Sequence, residues 1–146
     1  MAITSAICNS FKQEILEAEH NFTASTGNTF NLALYDSDAS LGAGTTAYTT
    51  SEEITNTSGT AYSAKGKALT SVTPTLDSST AVCDFADVSW TSASFTARGC
   101  MIFNDSHSTD ASVCVIDFGG DKTATSGTFT IQFPAADATN AIIRIA

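Results

Sequence analysis

Basic residues are scarce in this chain: six Lys and Arg stand against fifteen Asp and Glu, for a formal net charge of −9 over 146 residues. Binding a phosphate backbone needs Lys and Arg gathered on one face, and only Lys65 and Lys67 lie close together, so no nucleic-acid partner is expected. Histidine is rarer still. His20 and His107 are the only two, neither sits in a serine or cysteine motif, and there is no GxSxG nucleophile elbow. The cysteines Cys8, Cys83, Cys100 and Cys114 have no CxxC spacing and no paired His, which removes the common zinc patterns. They read as small buried thiols in a reducing compartment, with a bridge among Cys83, Cys100 and Cys114 left open. No apolar run is long enough to span a bilayer, so no membrane partner is expected. The opening MAITSAICNSFKQEILEAEH lacks a basic start and meets Lys12, Glu14 and Glu17 before any sustained apolar stretch, a poor signal peptide.

Hydroxyls replace the missing charge. Ser and Thr exceed a quarter of the residues, while 42% hydrophobic content and nine Phe in alternating runs supply enough apolar area to offset the ordering entropy. The length fits a single domain, 1–146.

Ser10 to His20 is the one good helical segment, with Phe11, Ile15 and Leu16 on one face and Ser5, Asn9 or Ser10 as its cap. Residues 1–22 thus form a helical arm that packs on the sheet or on a neighbour. TFNLALY (Thr29 to Tyr35) alternates as a strand, Asp36 to Glu53 reads as a long loop, a short strand is expected near Glu53 to Thr55, and NTSGT (Asn56 to Thr60) reads as a turn. Lys67 to Leu76 alternates again, but Pro74 confines it to an edge or a bend. Ala81 to Asp84, Asp87 to Trp90, Ser94 to Phe103, Ala111 to Phe118, Thr128 to Phe133 and Ala141 to Ile145 complete the strands. Asn104 to Asp110 and Gly119 to Gly127 read as polar hairpin connections. The expected fold is mainly β: a single antiparallel β-sandwich, jelly-roll-like, with one short N-terminal helix.

Candidate chemistry is thin. His107 in NDSHSTD reads as a solvated turn residue. Asp36 with Asp38, and Asp117 with Asp121 in DFGGD, offer oxygens to a hard cation but lack EF-hand spacing, so turn-forming Asp is the plainer reading and no metal is expected. LGAGTT (Leu41 to Thr46) lacks the Lys of a phosphate-binding loop. The sequons at Asn21, Asn56 and Asn104 match the chance expectation for so much Ser and Thr. Tyr35, Tyr48, Tyr62 and Trp90 are the aromatics that would stack on sugar in a carbohydrate-binding module, although Trp90 continues an alternating strand with Val88 and reads as core. Neither a catalytic residue nor a cofactor is expected.

The segments HNF (His20 to Phe22), FNLALYDSDASLGAGTTAYTT (Phe30 to Thr50), AYSAKGKALTSV (Ala61 to Val72), DFADVSWTSASFTARGCMIFN (Asp84 to Asn104) and Ala111 to Ala146 cover most of the chain. Together they resemble small virion structural proteins of tailed bacteriophages. The resemblance implies a β-rich, non-enzymatic particle component, assembled in the host cytoplasm and carried in the virion. It implies a homo-oligomer contacting the major capsid protein or other virion proteins, as a capsid decoration or cement protein or as a tail or fibre component. The four cysteines and Lys65 depart from the Gly-rich, cysteine-poor pattern of that family. Phe11, Ile15 and Leu16 on the helix, with Leu41 and Tyr48 in the long loop, are the candidate interface residues.

Overall fold

A computed structural model describes residues 2–55 and 58–146. Among them lie eight strands and one helix: β1 (Ala6–Ile7), α1 (Asn9–Leu16), β2 (Phe30–Tyr35), β3 (Lys67–Ala68), β4 (Ser71–Asp77), β5 (Thr80–Phe85), β6 (Val88–Asn104), β7 (Ser112–Ile131) and β8 (Ile143–Ile145). They form two antiparallel sheets, a larger one ordered β1-β7-β6-β2-β3 and a smaller one ordered β4-β5-β8. The mainly β, sandwich-like architecture with one short helix is the one expected. The strands divide five and three, not into the two equal sheets of a symmetrical jelly roll, because one long hairpin, β6–β7, dominates the larger sheet.

That hairpin departs most from the sequence reading. Asp87 to Trp90 and Ser94 to Phe103 merge into β6, and Gly119 to Gly127 is not a connection but the interior of β7. Thr is β-branched and pairs across strands: Thr96 meets Thr123 at 2.7 Å and Ser89 meets Thr130 at 2.8 Å, hydroxyl to hydroxyl. Irregularities absorb the turn-like residues. Between the pairs Gly99–Asp117 and Ala97–Lys122 the FGGD stretch bulges out, with Gly119 at φ +74°. The expected turn Asn104 to Asp110 does join β6 to β7.

Lys67 to Leu76 breaks after Ala68, and its second half shifts register around Pro74, as a residue without an N–H requires. Asn56 and Thr57 of the expected NTSGT turn, and the sequon they open, lie outside the described residues. Tyr35 pairs with Glu53 in an isolated bridge where a short strand was expected.

The inner face of the larger sheet carries Phe30, Leu32, Leu34, Cys100, Ile102 and Cys114, placed on one side by the β2–β6–β7 register. Phe85 of β5 approaches Phe30 with ring centroids 5.8 Å apart, and Phe22 stacks on Phe30 at 4.3 Å, so aromatic rings join the sheets. The opposite face is covered by segments 36–55 and 58–66, of which Tyr48 stacks on Phe103 at 4.8 Å. One buried cluster runs from Ile3 to Ile143.

Helix α1 stops four residues before the predicted end. The Ala18 N–H bonds Ile15 O and the Glu19 N–H bonds Glu14 O, with Ala18 at φ +61°, a Schellman closure without the usual glycine. The closure turns His20 and Phe22 inward. At the other end the N-cap is Cys8, which makes no side-chain cap bond, so none of Ser5, Asn9 and Ser10 caps the helix.

Candidate functional site

The candidate interface residues separate into two groups. Phe11 and Leu41 are buried inside the subunit, Phe11 against His20 and Phe22, and Leu41 bridged to Ile3. Their area is spent on folding. Ile15 and Tyr48 are half-buried, and Leu16 is 87% exposed. Sequence reading did not single out Val72, Leu76 and Ile145, exposed by 45%, 71% and 59% on the smaller sheet. Leu76 pairs with Ala81 and Ala81 with Ile145, which makes a row across the sheet. Ala81 lies two residues from buried Cys83, so the row continues the inner face into solvent. The signal was there in SVTPTLD: a proline-marked edge strand whose apolar residues have few partners. Beside the row lies a groove of about 550 Å³ between α1 and the smaller sheet, with Ile15, Phe22, Pro74, Ala81, Ile143 and Ile145 among its walls.

Opposite this surface the loops form a polar knot. Glu53 accepts from the Tyr48 hydroxyl at 2.5 Å, from the Tyr62 hydroxyl at 2.7 Å and from the Lys65 N–H at 2.7 Å. The Tyr62 oxygen in turn accepts the Leu34 N–H, and Tyr35 donates to Thr49 O. Burial first, then the Glu53 carboxylate, pushes the Tyr48 hydroxyl up to about 12. Tyr35 and Tyr62 are raised further, burial again being the main cause. These phenols hold their protons and serve as donors. Lys65 meets Asp105 and Asp110, each at 2.8 Å, and its ammonium is held well above the usual lysine range by the bonds to Asp105 and then Asp110. The knot ties Tyr48, Glu53, Tyr62 and Lys65 together and, through Lys65, to the β6–β7 turn.

The other chemical candidates are placed as follows in the fold. Asp117 accepts from the Gly119 N–H and from Arg98, which lower its carboxyl in that order, and Arg98 also reaches toward Asp121, so a guanidinium stands where a cation was considered. Asp36 caps the Asp38 N–H, and their carboxylates gather with that of Glu52 within 4.8 Å. Trp90, Tyr35 and Tyr62 are 1%, 0% and 1% exposed, so none presents a face to a sugar. Asn104 of the third sequon is fully buried. All four thiols are free and buried; burial pushes Cys83 and Cys114 up to about 12 and raises Cys8 and Cys100 as well. No described helix is long and apolar enough to cross a membrane.

His20 is the one histidine carried inside. Its Nε2 lies 2.7 Å from Glu14 and its Nδ1 3.1 Å from the Asn104 amide, so both ring nitrogens are engaged. His107, in the turn, is similarly bound to Glu19 and Thr109. No family model, no curated protein and no solved structure matches this chain.

Proposed function

We propose that the chain is a non-enzymatic structural protein of a tailed-phage virion, a capsid decoration or cement protein that stabilises the head through symmetric protein–protein contacts. The observation that carries the reading is the placement of its spare apolar side chains. Leu16, Leu76 and Ile145 project from the helix and the smaller sheet, while His20, His107 and Asp117 are engaged by internal bonds. The resemblance of the segments quoted above points the same way.

The mechanism is area burial. A contact of about 800 Å² per partner, repeated by symmetry, holds a shell without chemistry. The partners are further copies of this chain and the major capsid protein, met after assembly in the host cytoplasm. Quantitative mass spectrometry of gradient-purified particles tests it. Copy numbers in simple proportion to the major capsid protein support decoration. Only a few copies per particle would move the chain to the tail or fibre, and absence from the particles would remove the proposal.

A further inference from the structure

The outer half of β7 has one open edge. β1 covers that edge at Cys114 and Val115, and the Ser5 hydroxyl takes the Asp117 N–H; beyond it, among the described residues, β7 has no backbone partner but β6. A groove of about 670 Å³ follows the open edge. Its walls include residues 122–124 and 128–134 in unbroken runs, whereas a groove on a sheet face would meet every second residue, so the backbone itself is presented there. The Phe133 N–H donates to Asp87 on the β6 side. Strand alternation therefore turns the N–H and C=O of Thr128, Thr130 and Gln132 outward. An alkyl or aromatic ligand would leave those groups unpaired; a further extended chain satisfies them. Most of the edge is guarded against such a chain. Lys122 charges it, and register shifts between Asp117 and Phe129, with Gly119 and Ser126 at positive φ, twist it. From Thr128 to Gln132 there is neither charge nor proline. No carboxylate occurs from Lys122 to Ala136 in a chain of net charge −9, so two copies can approach along this stretch without like-charge repulsion.

We propose that a second copy of this chain occupies the edge, β7 antiparallel to β7 about a two-fold axis at Thr130. In that register Thr130 faces the partner's Thr130 and Thr128 faces the partner's Gln132, so outward backbone groups meet outward backbone groups. Phe129 meets the partner's Ile131 on the groove side, an apolar cross-strand pair made twice by symmetry. Further along, Lys122 comes toward the partner's Asp137. Among the described residues Lys122 Nζ has no partner, and every bond to the Asp137 carboxylate uses Oδ1, which leaves Oδ2 for the ammonium. The contact uses none of Leu16, Leu76 and Ile145, so it stands or falls separately from the particle contact proposed above.

The test is sedimentation velocity of the intact chain between about 1 µM and about 200 µM, where a dimer should form toward the upper end. Thr130 is exposed, so Thr130→Asp leaves the monomer folded by circular dichroism; it sets two carboxylates face to face on the axis and should weaken the dimer by about tenfold or more. Thr130→Cys gives a second reading. With the native thiols buried, oxidation by diamide should join two copies through the new cysteine. A monomer throughout the range, a dimer as tight with Thr130→Asp as without it, or a Thr130→Cys protein that does not cross-link would overturn the proposal.

Discussion

Glu53 is the residue on which the loop layer depends, since two hydroxyls and one N–H converge on its carboxylate. Glu53→Ala leaves those donors facing one another's vacated partner, and should cost about 2–3 kcal/mol in urea unfolding. Gly66 is constrained by the backbone. At φ +64°, a Cβ there would lie 1.8 Å from Leu32 O, so Gly66→Ala should cost about 3 kcal/mol or more and detach the β3 pairing. The buried thiols give a third outcome: a thiol reagent at about pH 8 should label none of the cysteines in the native protein and all of them after unfolding. At the surface, Asp137 is held down to about 2 by the Thr139 hydroxyl, then by the Thr139 and Asn140 N–H groups. Its folded value lies below the ordinary carboxylate range, so the 137–140 turn persists above it and is lost as pH falls through about 2, a titration visible in the Thr139 and Asn140 amide shifts. The Glu53 and Gly66 contacts were not legible beforehand, because they depend on how the loops fold over the sheet, and the Asp137 turn, though local, was not singled out; sequence showed only that His107 and the Asp residues lacked catalytic company.

Elements were legible where side chains alternate. TFNLALY and AVCD were placed within a residue because one apolar face repeats at period two. GGDKTATSG was misplaced, since its backbone ladder with β6 carries mostly polar and small exposed side chains, among them the Thr96–Thr123 hydroxyl pair, which leave no apolar signature. Helix α1 was overrun because its stop is a backbone closure at Ala18, a residue that otherwise favours helix. Of the proposed contact surface, sequence identified Leu16 but not the Leu76–Ala81–Ile145 row, which exists only through strand register. Leu16→Asp combined with Leu76→Asp should leave subunit stability within about 0.5 kcal/mol, because both side chains are solvated, yet abolish co-sedimentation with particles. A matching loss of stability would show that these residues serve the fold instead.

At the scale of the molecule, two sheets joined by phenylalanines, a polar loop layer on one side and unspent aliphatics on the other make an object suited to being a component of something larger. On the proposed reading, the acidic surface would keep free copies apart and apolar contacts would fix them on the particle. The most direct test is a cryo-electron microscopy reconstruction of particles from the source of this chain. The account predicts density for the two-sheet body at regular positions over the capsid lattice, with Leu16, Leu76 and Ile145 against a neighbour. Particles in which no density fits the chain, on head or tail, would contradict it.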